Sequence, residues 1–197
     1  MRSPVHRVFV VSGPSGVGKS TIIRQVLAAD PELKLSVSHT TRDPRAGEQD
    51  GRDYHFISRE AFVGEIEDNE FLEWAKVYDN YYGTSRKQVE QILKSGRHAV
   101  LDIDTQGAMR IKDMSRGAVF IFITPPSLQA LEKRLRDRRS ETDRSFQKRM
   151  AQAEHEMSFA KQYDYVVSND EIEHAVHAFR EILDKEKKKA VEFVCPV

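Results

Sequence analysis

Short, unbroken apolar runs punctuate the chain and alternate with helical patterns. Arg7–Ser12 carries β-branched and aromatic side chains on both faces, the pattern of a strand buried on both sides in a parallel sheet. From Ser20 to Leu27 apolar residues recur at helical spacing, and Asp30-Pro31 stops that helix. Ala99–Ile103, Ala118–Ile123 and Tyr165–Val167 read as three further buried strands. The stretches 105–113, 127–137, 142–162 and 171–189 read as helices between and after them. Strands alternating with helices predict an α/β fold, a parallel β-sheet core flanked by helices.

The middle of the chain breaks this rhythm. Residues 36–84 hold short strand-like pieces, Leu35–Ser38, Tyr54–Ile57 and Phe71–Trp74, among polar and aromatic residues. Arg42–Arg52, poor in apolar side chains, reads as a loop. We read 36–84 as a mixed α+β excursion from the main sheet, followed by a helix at 85–95. The expected organisation is a single domain, with its core in 1–35 and 96–197.

With 197 residues and 39% hydrophobic content, the chain can bury a core, which excludes wholesale disorder. Lys+Arg and Asp+Glu each number 31, so bulk charge gives no reason to expect nucleic acid or a membrane as partner. The one cysteine, Cys195, excludes an internal disulfide framework and fits a reducing compartment. No targeting segment is visible, and a cytoplasmic protein is expected. Locally the charge is uneven. Residues 60–79 carry seven acids and one lysine, and 133–149 carry eight Lys/Arg and three acids; both read first as solvated helix faces.

One motif changes the picture. Gly13-Pro14-Ser15-Gly16-Val17-Gly18-Lys19-Ser20 fits G-x-x-x-x-G-K-[ST], between a strand and a helix that continues through Thr21. Such a loop curls so that successive N–H groups point into one concavity, reinforced by the helix N-terminus. Lys19 adds a charge for the outer phosphates, and the Ser20 hydroxyl is placed to ligate Mg²⁺. Asp102, at the carboxyl end of a predicted parallel strand, faces the crevice where ligands bind. It could hold Mg²⁺ through water or orient a lysine or arginine.

The excursion carries groups suited to a second phosphorylated substrate. Arg42 and Arg45 stand three residues apart, with Pro44 stiffening the turn, and guanidinium forks match phosphate oxygens. Tyrosine hydroxyls follow in Tyr54 and Tyr82. Glu73 is a carboxylate among apolar neighbours. Taken alone it reads as a solvated strand residue, yet a carboxylate matches the adjacent N1–H and N2–H donors of guanine, and a hydroxyl matches O6. Adenine would leave such a pocket unpaired.

These pieces, in their order, resemble the guanylate kinase family: Val11–Ser20, Ser36–Arg42, Pro44–Glu48, Asp53–Phe56, Asn80–Thr84 and Leu101–Gly107. The resemblance spans roughly residues 6–185. It implies the P-loop kinase fold, with a GMP-binding region at about 36–95 and a short helical lid at about 135–145. It further implies Mg²⁺-dependent transfer of the γ-phosphoryl group of ATP to GMP. By the same resemblance Arg42, Arg45, Tyr54 and Tyr82 would hold the GMP phosphate; Ser38, Glu73 and Thr84 would read guanine; and Glu48 would brace the arginines. Asp102 and Asp104 would lie near the nucleotides, Arg134, Arg138 and Arg149 would reach over ATP, and Asn169 would sit near the adenine. Arg139 stands where the family often has glycine, and Ser168 where an aliphatic residue is common.

Two alternatives fit parts of the pattern: an inactive module of the same fold that binds proteins, and a P-loop kinase for another small phosphorylated acceptor. The first has no need of Lys19, Ser20 and the lid arginines; the second has none of the paired arginines with Glu73. Use of dGMP, and a monomeric or homo-oligomeric state, are left open by the residues. His39 and His55 read as structural.

Overall fold

The computed structural model describes residues 6–77, 79–136, 143–189 and 191–194. Its core is a five-stranded sheet, parallel throughout. Strand β1 (Val8–Ser12) lies at the centre, and helix α1 (Lys19–Ala29) follows the glycine-rich loop. Beside β1 run β7 (His98–Asp102) and β8 (Val119–Thr124), with β2 (Leu33–Ser36) outside β7 and β9 (Tyr165–Ser168) outside β8. Both faces of β1 are fully buried, as its uninterrupted apolar sequence requires. Phe9, Val11, Ile121 and Ile123 pack on one side against α1 and α7 (Ile172–Lys187). Val8, Val10, Leu101 and Phe122 pack on the other against α3 (Arg86–Lys94) and α4 (Thr105–Met114). No described helix is long and apolar enough to cross a membrane.

A second sheet, of four strands, covers the crevice side. Its order is β4 (His55–Phe56), β3 (His39–Thr40), β6 (Asn80–Ser85) and β5 (Phe71–Val77), antiparallel except for the β3–β4 pair. Helix α2 (Arg59–Glu67) packs beneath it: Phe62 is fully buried and stacks on Phe71 at 4.4 Å. The structure corrects several expectations here. The first strand-like piece lies at Leu33–Ser36 and belongs to the main sheet, where it pairs in parallel with β7 and buries Leu33 and Ser36 at its two ends. The acidic stretch 60–79 is not one solvated helix face but α2 followed by β5. The Tyr81-Tyr82-Gly83 segment, not among the strand-like pieces read from the sequence, lies within strand β6. The stretch read as a helix at 142–162 is α6 (Asp143–Ser158) followed by one turn of 3₁₀ helix at Phe159–Gln162. Helix α5 (Leu128–Arg136) reaches the start of the expected lid; residues 137–142, with Arg138 and Arg139, and Cys195 lie outside the described residues.

Candidate active site

Between the two sheets opens a cavity of about 360 Å³, within the range of small-molecule sites. One wall is the loop Gly13–Thr21. At its end Gly18 adopts φ 95°, a left-handed conformation, and Thr21 and Ile22 donate their N–H groups to its carbonyl as α1 begins. A Cβ on Gly18 would stand 2.5 Å from Asn169 Nδ2, so close packing also excludes a side chain. Lys19 points to the carboxyl end of β7. Its Nζ lies 2.6 Å from Asp102 Oδ1 and 3.2 Å from the Ile103 carbonyl. Asp102 thus stands paired with Lys19 at the end of β7. The Ser20 and Thr21 side chains are exposed at the start of α1.

The facing wall brings together Ser38, Arg45, Tyr54, Glu73 and Tyr82, with Asp102, Asp104 and Glu156 along the floor. Glu73 is not solvated: it is 6% exposed. The register of β5 against β6 slips between Phe71 and Glu73, the kind of bulge that re-aims a side chain. This sets Glu73 directly opposite Thr84, whose hydroxyl, itself fully buried, donates to Glu73 Oε1 at 2.7 Å. Burial pushes the Glu73 carboxyl up to about 7; the Thr84 hydrogen bond works against this and the charge of Asp104 adds to it.

Arg42 and Glu48 lie beside this wall. Arg42 Nη1 and Nη2 donate to the two oxygens of Glu48 at 2.9 and 3.0 Å, and the guanidinium covers the Tyr54 ring at 5.2 Å. Glu48 also accepts the Arg45 backbone N–H at 2.7 Å, so it braces Arg42 by its side chain and Arg45 by its main chain. The Arg42 hydrogen bond holds the Glu48 carboxyl below the usual carboxylate range. Burial pushes the Tyr54 phenol up to about 12, so it stays a donor near neutral pH. The Tyr54 and Tyr82 rings meet edge to face at 6.0 Å.

Asp104 caps α4, accepting the Gly107 N–H at 2.8 Å. Asn169 and Arg134 lie behind the loop, not in the cavity wall. Asn169 is 4% exposed and its Nδ2 donates to the Val17 carbonyl at 2.6 Å; Arg134 Nη1 reaches the same oxygen at 3.2 Å, and its Nη2 reaches the Asn169 carbonyl at 2.9 Å. Arg149, on α6, donates to the Ser15 hydroxyl at 2.9 Å. The sequence reading missed Glu156. It is 8% exposed, takes Gln152 Nε2 at 3.0 Å, and has its carboxyl raised by burial. Its one signal was spacing: Arg149, Gln152 and Glu156 share a face of α6.

The guanylate kinase family model matches residues 5–186. The chain belongs to the guanylate kinase family. Among curated guanylate kinases, that of Caldanaerobacter subterraneus subsp. tengcongensis is 47% identical over 180 residues, covering 91% of this chain and 87% of the relative. That of Rickettsia felis is 44% identical over 183 residues, covering 93% and 95%. The crystal structure of guanylate kinase from Anaplasma phagocytophilum superposes with a TM-score of 0.79 at 35% identity, over 98% of this chain and 92% of that one. The SH3-kinase fragment of tight junction protein 3 shares the fold, with a TM-score of 0.55 at 13% identity.

Proposed function

We propose that this chain is an active guanylate kinase, transferring the γ-phosphoryl group of ATP to GMP to give ADP and GDP. The observation that carries the reading is the buried Glu73, bonded to Thr84 behind it, facing a phosphate loop across one cavity. In its ionised form Glu73 can accept from guanine N1–H and N2–H, while Thr84 and Ser38 supply hydroxyls to the base. Arg42, Arg45, Tyr54 and Tyr82 would grip the GMP phosphate. ATP would lie along Gly13–Thr21 with Lys19 at its outer phosphates. Arg134 and Asn169 would act by holding the loop, and Arg138 and Arg149 by approaching the phosphates from the lid. The substrates, both cytoplasmic nucleotides, support a cytoplasmic site of action.

A divalent ion such as Mg²⁺ fits the donors present. The Ser20 hydroxyl is exposed and Asp102 lies nearby at the end of β7, while no group of three or more His, Cys, Asp or Glu among the described residues would replace phosphate and water as ligands. When bound, the ion would neutralise phosphate charge.

The two nucleotides bring roughly six negative charges into one cleft. Offsetting that repulsion is the main task, and Lys19, Arg42, Arg45 and the lid arginines would perform it. No general base is required, because the attacking phosphate oxygen of GMP is already ionised. The reaction is direct in-line transfer by positioning and charge stabilisation, with no covalent enzyme intermediate. The test is ADP release from ATP and Mg²⁺ with GMP, AMP or UMP as acceptor. GMP alone should support rapid turnover; equal rates with AMP would reject the reading.

A further inference from the structure

Helix α4 has a glycine as its third residue, Gly107, although the backbone there demands none. Gly107 is absent from the residues with positive φ, and glycine in a helix costs about 1 kcal/mol relative to alanine. Space is the reason. A Cβ on Gly107 would stand 2.3 Å from Glu73 Oε2 and 2.9 Å from Glu73 Cδ. The carboxylate therefore seats directly on the first turn of α4, at the helix end that favours negative charge. One turn on, Arg110 lies over the Trp74 ring at 5.1 Å and donates to the Trp74 carbonyl. Adjacent residues of β5 are thus seated by adjacent turns of one face of α4.

We propose that Gly107 is a positioning residue for guanine recognition: by presenting no side chain, it sets where the Glu73 carboxylate rests and therefore which base edge the pocket matches. The inference rests on the reading of Glu73 as the base-reading group, and names the core element that positions it. The seat belongs to the helix that follows Asp102 and Asp104, whereas the carboxylate belongs to the second sheet. A methyl group at 107 would drive the carboxylate off its seat and strain its bond to Thr84.

The test is steady-state kinetics and thermal melting of Gly107→Ala, alone and in a Glu73→Asp background. Shortening the acid by one methylene withdraws it from residue 107. The single variant should raise the KM for GMP about tenfold, leave the KM for ATP within about twofold, and melt within a few degrees of the parent, because alanine's gain in the helix offsets the strained Thr84 bond. In the Glu73→Asp background the same substitution should change the KM for GMP less than about twofold. Should the single variant fail to fold, recovery of a folded protein in the double variant supports the seat, and failure of both overturns it. An equal rise in both backgrounds, no rise in either, or a parallel rise for ATP also overturns it. A parent enzyme that does not prefer GMP to AMP would instead overturn the functional reading beneath.

Discussion

Glu48 holds Arg42 by both terminal guanidinium nitrogens, Nη1 and Nη2, at 2.9 and 3.0 Å, while taking the Arg45 main-chain N–H with the same carboxylate. One acid thus fixes a side chain and a turn that, on the proposed function, would meet the GMP phosphate. Glu48→Gln keeps the shape but removes the charge and turns an amide donor toward the guanidinium. Hydrogen bonds to charged groups contribute about 1.5–3 kcal/mol, so the KM for GMP should rise by about tenfold or more. The KM for ATP should stay where it was, since neither residue lines the loop wall. Kinetics with each substrate varied in turn checks this; equal rises in both constants would show that the brace serves the fold as a whole.

If Glu73 reads the base as proposed, GMP recognition should be sensitive to pH. Its carboxyl is raised to about 7 by burial, from an ordinary 4.5. The folded, unliganded protein therefore retains a proton that the unfolded chain loses, and stability falls as pH rises from 4.5 to 7. A shift of that size corresponds to about 3 kcal/mol. Binding runs the other way, because guanine needs the ionised form. At pH 6 about one molecule in ten is competent and at pH 8 about nine in ten, so the KM for GMP should fall about tenfold over that interval. Glu73→Gln should raise this KM overall and remove the component of the pH dependence that the phosphate's own ionisation does not explain. A profile identical in the two proteins would refute the assignment.

Behind the phosphate loop, Asn169 and Arg134 converge on the single carbonyl of Val17. Asn169→Ala removes the shorter of the two bonds from a buried position and opens space beside Gly18. Loss of a buried hydrogen bond of this kind costs about 1–3 kcal/mol. The protein should melt several degrees lower, and the KM for ATP should rise several-fold while the KM for GMP changes little. Calorimetry together with nucleotide titration would detect this. Weakened GMP binding with ATP binding intact would contradict the assignment of Asn169 to the loop.

The main sheet was legible because strands buried on both faces must be continuously apolar, as Val8–Val11 and Val119–Ile123 are. The phosphate loop was legible because its geometry needs glycines at fixed offsets. The second sheet was not. Its strands are short or one-sided, and β6, Asn-Tyr-Tyr-Gly-Thr-Ser, carries polar and aromatic side chains that equally suit a turn. Glu73 illustrates the boundary. The sequence reading placed a carboxylate among apolar residues, but its burial depends on a register slip in β5, a threonine eleven residues on and a glycine on α4, and no local pattern joins those three. Glu156 escaped notice for the same reason, as a charge on a helix rich in charges.

Lys19 rests 2.6 Å from Asp102, with the pair only partly open to solvent at 17% and 27%. A phosphate entering the loop must share or displace that carboxylate, so the two residues should fail differently. Lys19→Met deletes the only full positive charge in the loop, and removal of a group that stabilises developing charge typically costs about 10²–10³ in rate. The expected result is a kcat lower by that factor with the GMP constant preserved. Asp102→Asn retains the charge on the lysine but loosens its aim. It should lower kcat by about tenfold and leave ATP binding as strong as before, since a negative neighbour of the polyphosphate has been removed. Single-turnover measurements separate chemistry from binding in each variant. A loss of ATP affinity in Asp102→Asn that matches its loss of rate would show that the carboxylate serves to bind the nucleotide and not to orient Lys19.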